Sequence, residues 1–441
     1  MRGGCRMRKW NTGLGKQSIL GVVITLSMLM AASSWADPQE IVSAIDAASP
    51  ACKLVSEKIF EYKELGQKEV KSSALLMEEL RKLGFTVTGN LKVPADLSED
   101  KDGIAKTAFR AELRGKGPGP TVTIMLEYDA LTNGHSCGHN LISTSGLLAA
   151  AGLAKVMAET PGRVIVMGTP DEERGSLGRG KVAILEGGHF EGSDIVLITH
   201  PGDRWNAYQK ILAMKRATFV FNGKAAHAAA SPHKGVNALR AVLVTFNSAD
   251  SLREHLRQDV RIHGIIKKGG DLVNVVPEMA EAEFAVRAQD TATMEDAYNK
   301  VVNCAKAGEL VSGAKLEFKE PRTALKAPIP VPTLSKMVVD YARSLGVPEL
   351  EIKEASDFGS SDLGNVGHAY PTVNLQFKIG PEGTAGHSDA LREAAGSDEG
   401  WKATIIAGKA VALTAYDLLT HPEKLKAVQD QFKEMKAKEG K

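Results

Sequence analysis

His135, Cys137 and His139 place two imidazoles and a thiol within five positions of one another. Thiolate, imidazole and carboxylate together suit a borderline-soft ion such as Zn²⁺, and Mn²⁺ or Co²⁺ tolerate similar sets. Taken alone, a Cys-x-His pair reads more often as a buried cysteine beside surface histidines. Two adjacent acids, Glu172 and Glu173, follow an apolar run, and alone such a pair reads as a solvated face. His200-Pro201 ends another apolar run, and alone it reads as a turn. The combination is more specific than its parts. Adjacent carboxylates can divide the work, one binding metal while the other serves as general base toward water.

The elements that must position these groups follow from hydrophobic periodicity. Residues 38–85 repeat apolar positions at helical spacing. Thr121 to Leu126 is predicted as a strand ending at Glu127-Tyr128-Asp129, and the small, apolar stretch from Leu141 to Met157 as a buried helix. Val164 to Met167 is a second strand, followed by Asp171-Glu172-Glu173, and Asp194 to Thr199 a third, followed by His200. Three strands that each deliver polar, ligand-type residues at their C-terminal ends point to one shared cleft, since α/β sheets form sites there. From about Leu212 the pattern changes. A strand at 217–221, a helix at 237–256, strands at 260–266 and 280–287, a helix at 294–307 and a strand at 314–318 follow in the order of a ferredoxin-like module. Beyond Pro328-Ile329-Pro330 come a strand at 372–377, an apolar helix at 402–419 and a Lys-rich tail after Pro422 that reads as a solvated helix. The simplest architecture is an α/β catalytic domain in two parts, 37–211 and 326–441, split by a smaller inserted α+β domain, 212–325.

Composition agrees with an enzyme of this class. The 441 residues are 43% hydrophobic and 24% charged, which excludes a disordered, collagen-like or multi-span membrane protein. Lys and Arg number 55 against 53 Asp and Glu, with no basic stripe, which argues against nucleic acid as a partner. Arg2, Arg6, Arg8, Lys9 and Lys16 precede an apolar run from Ile19 to Ala32, and Ser34-Trp35-Ala36 offers small residues for cleavage. Residues 1–36 are therefore expected to be a secretory signal, with a bacterial periplasm as the destination and no stable membrane association after cleavage. Cleavage leaves Cys52, Cys137 and Cys304, an odd number that implies a free thiol, with a Cys52–Cys304 disulfide left open.

Several motifs occur in one order: Glu127-Tyr128-Asp129-Ala130-Leu131, Gly134 to Asn140, Gly168 to Glu173, Thr199 to Gly202, Asn222 to Ala228 with Ser231 to Gly235, and Asn274 to Pro277 followed by Arg287. Together they resemble the aminoacylase/carboxypeptidase G metallopeptidase family, peptidase family M20, in the amidohydrolase branch that includes p-aminobenzoyl-glutamate hydrolases and dipeptidase-like relatives. The resemblance covers essentially the whole chain after the signal. It implies a zinc-peptidase-like catalytic domain with an inserted lid and dimerisation domain, and hence a homodimer. It also implies a centre of two divalent ions, Zn²⁺ or Mn²⁺, with Co²⁺ also tolerated. By the same resemblance Cys137 is the bridging ligand, and His139, Glu173, His200 and His387 are the others. Glu172 is the general base, and Asp129 orients His139. His368 competes with His387 but precedes the strand at 372–377, whereas the family ligand follows it. His227 resembles a histidine that stabilises the oxyanion, often from across a dimer, while Asn274 and Arg287 resemble substrate binders. His233 is structural, and Ser360-Ser361-Asp362 matches a loop near the site without a catalytic step. Other branches carry a metal-binding histidine where this chain has Glu127, and the resemblance does not make Glu127 a ligand.

The implied activity is hydrolysis of the amide bond of N-acyl or N-aroyl amino acids by metal-activated water, with Glu172 as the base. The alternatives are a dipeptidase or carboxypeptidase of the same fold, and a catalytically silent periplasmic binding protein. A silent protein would lack the base or a ligand, and all of these are present. A Ser-His-Asp hydrolase finds no Gly-x-Ser-x-Gly elbow to support it.

Overall fold

Unbroken apolar runs build strands that are covered on both faces, and such strands pair in parallel under helices. The computed structural model describes Met1 and residues 36–173, 180–207, 210–319, 322–349 and 359–439. The expected signal segment, apart from Met1 and Ala36, lies outside the described residues.

The first sheet contains β1 (Thr86–Lys92), β2 (Ile104–Arg114), β3 (Thr121–Leu126), β4 (Arg163–Gly168), β5 (Ile195–Gly202) and β10 (Thr372–Lys378), in the order β1-β2-β4-β3-β5-β10. β4, β3, β5 and β10 run parallel, and β2 runs antiparallel to both β1 and β4. The chain leaves β3, passes to β4 on one side and returns to β5 on the other. That reversal opens a crevice at the C-terminal end of β3, where ligands bind in open α/β sheets. The remaining strands, β6 (Ala213–Asn222), β7 (Arg261–Lys268), β8 (Met279–Ala288) and β9 (Lys315–Lys319), form a second, antiparallel sheet in the order β7-β8-β6-β9. With α5 (Ala238–Ser251) and α6 (Thr291–Ser312) they follow the βαββαβ sequence.

The core of the first sheet is closed by α1 (Pro38–Tyr62), α3 (His139–Val156) and α10 (Asp398–Thr420). α3 and α10 are apolar and long enough to cross a membrane by composition, but both lie largely buried inside the protein. The shorter helices α2 (Val70–Lys82), α4 (Gly180–Glu186), α7 (Pro332–Ser344), α8 (Leu363–Ala369) and α9 (Asp389–Ala395) fill the flanks and loops. The Lys-rich tail departs from the sequence expectation. It forms α11 (Pro422–Ala437), which buries Leu425, Val428 and Phe432 at helical spacing, so only one face is solvated. Cys52 and Cys304 are free thiols buried in separate hydrophobic cores, which answers the disulfide question in the negative.

Candidate metal centre

Three strand ends converge in the crevice. Asp129 follows β3, Glu172 and Glu173 follow β4, and His200 lies near the end of β5. The Cys-x-His pair is set by Gly138, whose φ of 73° turns the chain into the first residue of α3. A side chain there would place its Cβ 2.5 Å from Pro201 Cγ, so glycine is needed both for the conformation and for the fit. Asp171 and His387 also adopt left-handed backbone, φ 61° and 62°, which is uncommon for residues with a side chain and clusters at functional sites.

Asp129 aligns two neighbours at once. His139 Nδ1 donates to its Oδ1 at 2.8 Å, and the Glu173 amide donates to its Oδ2 at 2.9 Å. His200 Nδ1 donates to the Pro201 carbonyl at 2.8 Å. When neutral, both imidazoles therefore present a bare Nε2 lone pair to the same space. His200 Nε2 lies 3.5 Å from Cys137 Sγ, His139 Nε2 lies 3.6 Å from Glu173 Oε1, and His387 Nε2 lies 3.3 Å from that same oxygen. Ligand atoms of Cys137, His139 and His200, of Cys137, Glu173 and His387, and of His139, Glu172 and Glu173 each lie within 4.8 Å of one another.

The electrostatics fit a cation. His139 Nε2 is buried without a hydrogen-bond partner, and Glu173 Oε1 is buried with His387 Nε2 3.3 Å away, an arrangement that a positive charge between them would satisfy. Burial would raise the Glu173 carboxyl, but the hydrogen bond from His387 and the charge of His139 bring it down to about 2. His387 is raised by that same hydrogen bond. Burial works against a charged His139, yet Asp129 holds it well above the ordinary histidine value. The Cys137 thiol is pushed up by burial.

Of the sequence candidates, the structure brings together Cys137, His139, Glu172, Glu173, His200, His387 and Asp129. His368 is elsewhere, with its Nδ1 on the Ala327 carbonyl. His135 is separated from its motif neighbours. It is buried against Phe60, donates from Nε2 to the Ile59 carbonyl at 2.9 Å, and is lowered to about 4 by burial. Ser361 Oγ donates to Glu172 Oε1 at 2.7 Å. Arg287, on β8, reaches the neighbouring Ser360 Oγ with Nη1 at 3.2 Å, so the second sheet touches the loop that holds Glu172. His227 and Asn274 do not join the cluster within one chain. Both are exposed, side by side where the Ala228 amide donates to the Asn274 carbonyl. Sequence reasoning missed Lys181, which is fully buried and pairs with Glu127 at 2.8 Å and Asp362 at 2.5 Å.

Cys137, Glu172, Glu173, His200 and His387 line a cavity of about 710 Å³ whose walls include Asp203, Arg204, Lys210, Ser360 and Gln376, with His139 and Asp129 buried behind them. A mainly apolar cavity of about 280 Å³, lined by Pro328, Ile329, Val331 and Val373, shares Lys210, Ile211, Leu363 and Asn374 with it.

Comparison with known proteins agrees with this geometry. Residues 213–310 match the peptidase dimerisation domain family. The chain is 36% identical to the Xaa-Arg dipeptidase of Mus musculus over 340 residues, covering 74% of this chain and 78% of that protein. It is 31% identical to a p-aminobenzoyl-glutamate hydrolase polypeptide of Escherichia coli K12 over 342 residues, covering 72% and 68%. Among solved structures, the Bacillus subtilis YXEP protein, a dinuclear metal-binding peptidase of the M20 family, shares the fold with a TM-score of 0.63 at 20% identity, over 85% of this chain and 99% of that one. Sequence relatedness over most of the chain and a shared fold lead to one conclusion: this chain belongs to the M20 peptidase family, the metal-dependent hydrolases of peptide and amide bonds.

Proposed function

We propose that this protein is a metal-dependent amidohydrolase that cleaves the amide bond of N-acyl or N-aroyl amino acids. The observation that carries the reading is the convergence of Cys137, His139, Glu173, His200 and His387 on one another, with Glu172 beside them and all but the buried His139 lining one cavity. These five residues would hold two divalent ions, Zn²⁺ or Mn²⁺. When bound, such ions polarise a carbonyl and make water acidic near neutral pH. Glu172, held by Ser361, takes the proton from the attacking water and passes it to the leaving nitrogen. Arg287 offers a guanidinium grip on the carboxylate of the amino-acid part, next to Ser360 on the cavity wall. The adjoining apolar cavity supports an apolar acyl group.

His227 and Asn274 enter this scheme through a homodimer. The match of residues 213–310 to a dimerisation domain supports it, as do the exposed apolar side chains Ile265, Ile266, Leu272 and Val273 of the same domain. In the dimer, His227 of one copy stabilises the developing oxyanion in the other, and Asn274 binds substrate there.

A second reading, a dipeptidase, draws on the name of the mouse relative. Hydrolysis of N-acyl amino acids, p-aminobenzoyl-glutamate and dipeptides ending in Arg, after loading with Zn²⁺, Mn²⁺ or Co²⁺, separates the two. Preference for the dipeptides would replace the first reading, and binding without turnover of any of them would make the protein a silent binder.

A further inference from the structure

Glu127 directly follows β3 and is 2% exposed. Its Oε1 accepts from Lys181 Nζ at 2.8 Å. Its Oε2 is buried with no hydrogen-bond partner and lies 3.5 Å from His139 Nε2. His139 Nε2 has no hydrogen-bond partner either, while Nδ1 is on Asp129. Glu173 Oε1, which His387 Nε2 approaches at 3.3 Å, is 3.6 Å from the same nitrogen. Glu127 Oε2 and Glu173 Oε1 thus each lie about one coordination edge from His139 Nε2, which presents a lone pair when the ring is neutral.

The spacings show what belongs at that point. Charge-assisted N–H···O bonds are about 2.7–2.9 Å long, so 3.5 and 3.6 Å are too far for a proton on His139 to serve either carboxylate well. Two metal–ligand bonds of about 2.1 Å at a tetrahedral angle leave their ligand atoms about 3.4 Å apart. With a Zn–S bond of about 2.3 Å the same construction gives about 3.5–3.6 Å for a sulfur and a nitrogen, and Cys137 Sγ and His200 Nε2 stand 3.5 Å apart. The Glu127–His139 edge has the dimensions of a coordination edge.

Support for Glu127 comes from two further chain segments. Lys181, at the start of α4, donates from Nζ to Glu127 and to Asp362 Oδ1 at 2.5 Å, and its own amide donates to Asp362 Oδ2 at 3.0 Å. All three side chains are buried. Two carboxylates share one ammonium, which leaves Glu127 Oε2 without a hydrogen-bond partner. Asp362 adjoins Ser361, so the same support also anchors the loop that holds Glu172.

We propose that Glu127 is a further ligand of the ion held by His139 and Glu173, with Lys181 and Asp362 as the positioning residues that aim it. The proposal rests on the metal-centre reading above, in which both ions share Cys137, and adds to it an oxygen donor that makes the His139 position harder than the His200 position. That position should therefore favour Mn²⁺ more than its neighbour does.

The test is metal binding by chelator-stripped protein, followed with Mn²⁺ by the loss of the free-ion electron paramagnetic resonance signal and with Zn²⁺ by elemental analysis after desalting. Wild type is expected to bind two ions. Glu127→Gln keeps the shape, and Glu127→Asp keeps the charge beside Lys181 but withdraws the oxygen. Both should weaken one ion tenfold or more, Mn²⁺ more than Zn²⁺, with thermal melting of the metal-free protein near that of wild type. Lys181→Met should weaken the same ion by about 10–100-fold, as expected for a group that orients a ligand. Two ions with unchanged affinity in Glu127→Gln and Glu127→Asp would overturn the ligand role and leave the metal centre standing. Unchanged affinity in Glu127→Asp alone would reduce Glu127 to a charge partner of Lys181 and also overturn the role. A wild type that binds no ion would overturn the metal-centre reading itself.

Discussion

The crevice of the first sheet and the exposed edge of the second place reactive side chains in opposite ways. At the crevice, parallel strands end together, buried neighbours fix the tautomers of His139 and His200, and the cluster is complete within one chain. At the second sheet, β7 is an edge strand whose Ile265 and Ile266 are exposed, Val273 is fully exposed, and His227 and Asn274 are exposed outside the cluster. His227 is held by its own loop, its Nδ1 accepting from the Ala229 and Ala230 amides at 3.3 and 3.1 Å. The lesson is that one region gathers its candidate groups within one chain, whereas the other leaves its candidates exposed, where the proposed dimer would have to complete them.

The largest effect should come from the self-contained region. Glu172→Gln should lower kcat by roughly 10²–10⁴-fold, the range for loss of a general base, while metal content by elemental analysis stays at the wild-type value. Near-normal turnover would remove Glu172 from the chemistry. His227→Ala should lower kcat by roughly 10²–10³-fold, as for a lost oxyanion donor, again with metal retained. Mixing it with Glu172→Gln protein under conditions of subunit exchange should restore part of the activity, because one site of the mixed dimer then has both groups. No recovery despite proven exchange would erase the contrast between the two regions.

A smaller effect is expected at Asp129. Asp129→Asn should weaken metal affinity by about 10–100-fold, measured by competition with a chromogenic chelator. Smallest is the pH dependence. Burial raises the Cys137 thiol, and Asp129 raises His139 against its burial, so the metal-free site favours protons that an entering ion must expel. Affinity should therefore rise with pH, by up to about tenfold per unit for each proton released. Calorimetry in two buffers of different ionisation enthalpy counts those protons, and a flat profile would contradict the protonated metal-free site.

Much of this is legible in the sequence because the signals are local. Apolar runs at 121–126, 164–167 and 195–199 end in polar groups, and the Cys-x-His pair sits on one turn. The ferredoxin-like order is also readable, since each of its elements has its own periodicity. β1 and β2 escape notice because both are partly exposed and weakly patterned. The tail helix reads as fully solvated because its apolar residues, Leu425, Val428 and Phe432, are diluted by lysines. Lys181 escapes for a different reason. A lysine carries a surface expectation, and its partners Glu127 and Asp362 lie on distant segments, where no periodicity reaches. The choice of His387 over His368 rests on chain order after β10, and the structure places His387 against Glu173 and His368 elsewhere.

The sharing of Asp129 between the His139 ring and the Glu173 amide has a further consequence. The two groups hang from one hinge pin, so neither can be tuned without moving the other. A designer who wished to retune this enzyme for a different ion would have to leave position 129 alone and work from the outer partners, where each side chain can be adjusted without disturbing both ligands.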